Sequence, residues 1–157
     1  MSKTIVDYYY TQIIGNPNCM PVIKATAGFT VPGGNIGIID GDPYGTSGNL
    51  QVGATNIFWR QIRNFIIDTT AVTASSSLAG IHWPTGQATS LQNIIFKMNP
   101  SAGSQHVGVF IESGSGGFVN DLTFNGGGVG LNVGNQQFTM RNLTFNGVTV
   151  STKILGR

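Results

Sequence analysis

Along this chain the apolar positions come in short bursts, and one burst recurs. Ile62-Arg63-Asn64-Phe65-Ile66-Ile67 is echoed by Leu91-Gln92-Asn93-Ile94-Ile95-Phe96, Val119-Asn120-Asp121-Leu122-Thr123-Phe124 and Met140-Arg141-Asn142-Leu143-Thr144-Phe145. Positions one, four and six of this sextet are apolar, position three is always Asn or Asp, and position five changes between Ile and Thr. Positions four and six stand two apart and so share one face of a strand. The polar residue at position three interrupts the alternation, and Asn and Asp are among the few non-glycine residues that tolerate a left-handed backbone. The sextet therefore predicts a corner between two short strands, with Phe65, Ile67, Ile94, Phe96, Leu122, Phe124, Leu143 and Phe145 facing a core.

The third position recurs at steps of 29, 28 and 21 residues (64 to 93 to 121 to 142). A second word precedes each later sextet: Gly80-Ile81-His82-Trp83, Gly108-Val109-Phe110-Ile111 and Gly130-Leu131-Asn132-Val133. Each period offers about three strand segments separated by Gly, Ser, Asn and Pro. Periods of this length mark solenoids, in which a unit buries its apolar face only against its neighbours. The expectation is an all-β chain forming a right-handed parallel β-helix of pectin-lyase type, rising about 4.8 Å per turn. Stacked corners would place Asn64, Asn93, Asp121 and Asn142 above one another as an amide ladder. An antiparallel sandwich is the alternative, because short strands with turn signals fit it as well.

Composition agrees. Charged residues make up 9% of the chain, against roughly 25% in an ordinary soluble domain, and 23 glycines supply many tight turns. There is a single Glu and no long stretch of helical periodicity. At 157 residues one domain is expected, with a capping segment over about 1–35, repeating units over about 36–148 and an atypical tail at 149–157. The net charge of +2 comes from scattered Lys and Arg, which argues against nucleic acid as a partner. No apolar stretch approaches the length of a transmembrane helix. The first residues lack an apolar signal-peptide core. Cys19 is the only cysteine and has no internal disulfide partner.

Several longer words point to a family. Ile5-Val6-Asp7-Tyr8-Tyr9-Tyr10-Thr11-Gln12-Ile13-Ile14-Gly15-Asn16-Pro17, the run Phe58-Trp59-Arg60-Gln61-Ile62-Arg63-Asn64-Phe65, the word Gly80-Ile81-His82-Trp83-Pro84 and the run Phe110-Ile111-Glu112-Ser113-Gly114-Ser115-Gly116-Gly117-Phe118 resemble the first β-helix of glycoside hydrolase family 55. The likeness extends from about Ile5 to Val148. It implies a fungal, extracellular exo-β-1,3-glucanase whose N-terminal module also resembles the pectate-lyase superfamily, with β-1,3-glucan as substrate. It further implies a second β-helix, absent from this sequence, that contributes the general acid across a cleft. The end of the chain, Thr149 to Arg157, departs from the family's aromatic-rich continuation. Residues 148–155 are expected either to fold over the last repeat or to pair with another copy.

The individual residues fit a module that does not catalyse alone. Inverting hydrolysis needs two carboxyl groups about 6.5 to 9.5 Å apart, and the chain has six: Asp7, Asp40, Asp42, Asp68, Glu112 and Asp121. Asp40 and Asp42 flank Gly41 before Pro43 and read as a turn; Asp68 reads as the start of another; Asp121 holds a ladder position. Glu112, before a Ser-Gly-rich loop, is a weak catalytic candidate. No cofactor is called for. His82 and His106, 24 residues apart with no ligand at metal spacing, do not suggest a zinc site, and His82 reads as a strand residue with a satisfied imidazole. Sugar contact is the remaining chemistry, with Trp59, Trp83 and the amides Asn135, Gln136 and Gln137 as candidates. The family likeness carries a water-holding glutamine over to Gln136 or Gln137. Tyr8, Tyr9 and Tyr10 are expected to fasten the leading segment. Two further readings stay open: a standalone polysaccharide-binding or structural β-helix, and a pectate-lyase-like enzyme.

Overall fold

A computed structural model describes residues 1–31 and 33–156. Twelve strands run in chain order as β1 (Ile5–Val6), β2 (Gln12–Ile14), β3 (Val22–Lys24), β4 (Gly37–Asp40), β5 (Gln61–Asp68), β6 (Leu78–His82), β7 (Thr89–Lys97), β8 (His106–Ile111), β9 (Ser115–Asn125), β10 (Val129–Val133), β11 (Gln136–Asn146) and β12 (Val150–Ile154). One short 3-10 turn, Ala54–Asn56, interrupts them. The even strands from β4 to β12, led by β1, form one sheet in the order β1-β4-β6-β8-β10-β12, and β2-β5-β7-β9-β11 form the other. From β4 onward the chain alternates between the two sheets, and every strand pairing within them is parallel. That excludes the antiparallel sandwich.

The sextets lie in register. Ile62 pairs with Leu91, Leu91 with Val119 and Val119 with Met140, while Ile67, Phe96, Phe124 and Phe145 form the matching line at position six. Position three is left-handed at every level, with φ of 64° at Asn64, 48° at Asn93, 57° at Asp121 and 51° at Asn142. The corner divides each long strand into two segments; β2 pairs with β5 before Asn64 and β3 pairs with it after. Asn93 donates to the Oδ1 of Asn64 at 2.9 Å, and Asn64 donates to the Gly15 carbonyl at 3.0 Å. The amide ladder is interrupted at Asp121. A carboxylate has no hydrogen to pass toward Asn93, and Asp121 instead accepts from Asn120 and Asn142.

Between the sheets, the sextet side chains pack as the alternation requires. Ile67, Ile94, Phe96, Leu122 and Phe124 are all but fully buried, and Leu143 and Phe145 at the last level are partly covered. The Phe96, Phe124 and Phe145 rings stack in parallel with centroids 5.0 Å apart. This column dictates the glycine word on the facing sheet. A Cβ at Gly80 would come within 2.7 Å of the Phe96 ring, Gly130 stands in the same relation to Phe145 at 2.6 Å, and Gly108 is closer still to Phe124. One level earlier the register puts Ile38 opposite Gly80 and Ile67 opposite Phe96. Two middle-sized side chains there fill the space that a glycine and a phenylalanine fill later, as close packing demands.

The tail departs from the expectation. Val150–Ile154 neither folds across the end nor stays unpaired; it adds to β10 in parallel, Val150 opposite Val129 and Thr152 opposite Leu131. Its β-branched residues at alternate positions suit a strand.

Candidate functional site

The register reveals a second left-handed line that the sequence does not announce. Tyr10, Trp59, Ala88, Gly116 and Gln137 have φ of 59°, 60°, 57°, 71° and 58°. Each stands two residues ahead of a paired position on the second sheet, so all five share one corner at successive levels. Left-handed backbone at a tyrosine, a tryptophan and a glutamine costs on the order of 1–3 kcal/mol each and concentrates at functional sites. The sextet corners use Asn and Asp, which favour the conformation; this corner does not.

At this corner the side chains make a notch. The Trp59 indole is 60% exposed, Gln137 is exposed three levels further on, and at the two levels between them, Ala88 and Gly116, stand only a methyl group and a hydrogen. Beside the notch runs a polar rail. Gln87 donates to Ser115 Oγ at 3.2 Å, and Ser115 pairs in register with Gln136. Asn135 donates to the Ser113 carbonyl at 3.1 Å, leaving its buried Oδ1 without a partner among the described residues. Ser115 and Gln136, with Thr55 and Gly114, line a groove of about 380 Å³. Trp59, Asn135, Gln136 and Gln137, candidates from sequence, thus lie along one edge, with Trp59 three levels before the amides. Gln87 and Ser115 were missed; an amide two residues after Pro-Thr and a serine between glycines carry no pattern of their own. The rail consists of amides and hydroxyls, which hold hydroxyl groups in either direction but supply no acid and base pair.

Two sequence candidates lie elsewhere. Trp83 is fully buried in the core and offers no ring face to a sugar. Glu112 sits on the outer side of the first sheet, where its Oε1 accepts from His82 Nε2 at 3.0 Å and from the Tyr44 hydroxyl. His82 Nδ1 bonds Asp40 at 2.8 Å, and its ring lies between those of Tyr44 and Phe110, 5.6 and 5.5 Å away. Asp40 also accepts from the backbone of Ile36 and Asp42, so it is committed as an acceptor and His82 must donate to it. Burial alone pushes His82 down, but the Asp40 and Glu112 bonds outweigh it and hold the imidazole above its ordinary 6.5. Burial and the Glu112 bond together raise the Tyr44 hydroxyl. Asp68 accepts from Thr70 and Asp40 from Asp42, each two residues on, as the turn readings require, whereas Asp42 accepts from the backbone of Val52 and Gly53 and so closes a longer loop. This cluster clasps the loop at 41–53 to the sheet.

A further pair lies near the first level. Asp7 is 1% exposed, neither oxygen has a hydrogen-bond partner among the described residues, and burial, only partly offset by Arg60, pushes its carboxyl up to about 7. The Arg60 guanidinium bonds the Gly41 carbonyl and lies 5.8 Å from the Tyr9 ring centroid. Tyr9 in turn donates to the Asn56 carbonyl at 2.7 Å, which fastens the leading segment. His106 is bound apart from His82, through Thr69 and the Thr73 carbonyl. Among the described residues no three His, Cys, Asp or Glu side chains gather as metal ligands, and no helix is long and apolar enough to cross a membrane.

Comparison with known proteins places this geometry. The chain is 46% identical over 158 residues to the glucan 1,3-beta-glucosidase of Cochliobolus carbonum, covering 99% of this chain and 19% of that protein. It is 50% identical over 148 residues to a protein of Arthroderma benhamiae named "Probable glucan endo-1,3-beta-glucosidase", covering 93% and 16%. It is also 41% identical over 145 residues to the non-secreted LysM effector LysM15 of Penicillium expansum, covering 92% and 10%. The chain therefore spans less than a fifth of the length of these curated relatives. The family profile described as "Rhamnogalacturonase A/epimerase, pectate lyase-like" matches residues 1–156, and the chain, with its parallel sheets and stacked sextets, belongs to that family.

Proposed function

We propose that the chain is a right-handed parallel β-helix serving as the N-terminal, glucan-facing module of a glucan 1,3-β-glucosidase. The alternation between two parallel sheets supports the coil, and the family match supports its pectate-lyase type. Identity of 46–50% to two glucosidases over a small share of their length supports the module. The observation that carries the reading is the notch between Trp59 and Gln137 with the Gln87–Ser115–Gln136 rail beside it. A sugar ring is held by an aromatic face and by fixed groups that bond its hydroxyls.

In this reading the glucosidase's acid comes from a second β-helix beyond these residues, and the chain alone releases no glucose from a β-1,3-glucan. The product works outside the cell, on a neutral polysaccharide. Titrating laminari-oligosaccharides against the tryptophan fluorescence tests the binding half. A saturable change that vanishes in Trp59→Ala supports the notch, and an unchanged signal at millimolar ligand defeats it. Glucose release abolished by Glu112→Gln would instead make that residue the acid. A second reading, a polysaccharide-binding β-helix in a non-catalytic protein, draws on the match to a LysM effector. Under it the binding result is the same, and adding the following glucosidase segment yields no hydrolysis.

A further inference from the structure

The outer side of β9 and β11 carries a second hollow, of about 340 Å³, lined by Phe118, Val119, Asn120, Thr139 and Arg141. Pairing sets its walls: Phe118 faces Thr139 and Asn120 faces Arg141. On each strand these residues stand two apart, so they share the outer face while Val119 between them is buried in the core.

Phe118 is left 42% exposed, whereas Asn120 beside it is only 8% exposed. The Asn120 amide donates to Asp121 Oδ2 at 2.5 Å. A carboxylate only accepts here, which fixes the nitrogen end of the amide and leaves Oδ1 as the other. That Oδ1 is buried and has no partner among the described residues. A desolvated acceptor without a donor is unfavourable until something supplies one. The Thr139 hydroxyl and the Arg141 guanidinium complete the wall with donors.

The charge balance bears on what fits. Asp121 stands just outside the hollow, its carboxyl held below its ordinary range chiefly by the bonds from Asn142 and Asn120 and in lesser part by Arg141. The single cation of the lining is thus partly countered at a distance, which weakens its pull on an anion. An aromatic face, a waiting acceptor and side-chain donors are the chemistry that reads a neutral ring rich in hydroxyls. We propose that Phe118, Asn120, Thr139 and Arg141 form a subsite for one neutral pyranose unit of a polysaccharide, distinct from the notch at Trp59. Gly116 and Gln137 stand two residues ahead of Phe118 and Thr139 on the same strands, about 7 Å away, so one polysaccharide chain passes from notch to subsite. This rests on the glucan-facing reading above and extends it along the second sheet.

The test is an amide NMR titration of the chain with laminarihexaose, with trigalacturonate run in parallel. The expected result is movement of the 118–120 and 139–141 amides as well as those at 59, 87 and 136. Phe118→Ala and Arg141→Gln should each weaken laminarihexaose binding about fivefold or more, with the shifts at 59 and 87 retained. Shifts confined to the notch would overturn the subsite and leave the proposed function standing. No shift anywhere would sink both. Tighter binding of trigalacturonate than of laminarihexaose, lost in Arg141→Gln, would overturn the assignment to a neutral sugar.

Discussion

Asp7 should make the fold lose stability between weakly acidic and neutral pH. Its carboxyl is enclosed without a hydrogen bond, Arg60 compensates it only partly, and it titrates at about 7 in the folded chain instead of the ordinary 3.8. A carboxyl with a raised folded value binds its proton more tightly folded than unfolded. Its contribution is complete below 3.8, declines as pH rises toward 7 and is exhausted above it. A difference of about three units at 1.36 kcal/mol each gives an upper bound near 4 kcal/mol. Urea unfolding of the chain at pH 4, 5.5, 7 and 8 measures it. The unmodified chain should fall steeply between pH 4 and 7, and Asp7→Asn should lose most of that fall. Asp68 and Asp121 are lowered and act below pH 4, while the raised His82 and the lowered His106 act in the same window with opposite signs and equally in both chains, so the difference between the two curves isolates Asp7. If Asp7→Asn retains the whole decline, the buried carboxyl is not its cause and the reasoning fails.

Three other outcomes follow from the same geometry. Phe124→Ala empties the centre of the aromatic column and should cost roughly 3 to 5 kcal/mol, read by thermal or urea unfolding; a loss below 1 kcal/mol would mean the level collapses around the gap. Asn93→Val should melt well below Asn93→Gly, since a branched side chain is penalised at φ of 48° and glycine is not; equal melting temperatures would refute the corner. His82 should titrate above 6.5 by imidazole NMR, with its value lowered in Glu112→Gln, and its stabilising contribution should be complete below 6.5 and fade as pH rises through the folded value; a value below 6.5 would show that burial outweighs the two carboxylates.

The first sheet's glycines, the sextet corners and the aromatic column were legible because each rests on a residue type with one physical use. Asn and Asp at position three could be read as left-handed without coordinates, and the parity of positions four and six could be read as inward. The second corner was hidden because Tyr10, Trp59, Ala88 and Gln137 carry no preference for the backbone they adopt. Trp83 could not be separated from Trp59 by sequence. Each stands within two residues of an isoleucine, and only the pairing of β6 turns one indole into the core while the corner turns the other out. Glu112 reads in sequence only as a catalytic candidate before a Ser-Gly-rich loop, because Tyr44 and His82, which bond it, come from distant positions and are brought near only by the fold. The tail joins β10 without the family's aromatic residues because strand pairing needs only backbone and alternate β-branched residues.

The amide bonds also give the stack a direction. Asn64, Asn93 and Asn142 each pass a hydrogen toward an earlier level, and so do Asn125, to the Phe96 carbonyl, Asn135, to Ser113, and Asn146, to Asn125. For these side-chain bonds, removing the latest level frees only oxygens, which have a second lone pair and lose little when one is vacant, whereas removing the earliest strands amide N–H groups, the costlier orphans. The backbone ladder has no such bias: the Gly126 N–H bonds the later Asn146 carbonyl and the Leu155 N–H the earlier Val133 carbonyl. The amides alone therefore make loss of the opening level costlier than fraying from the β11 and β12 end.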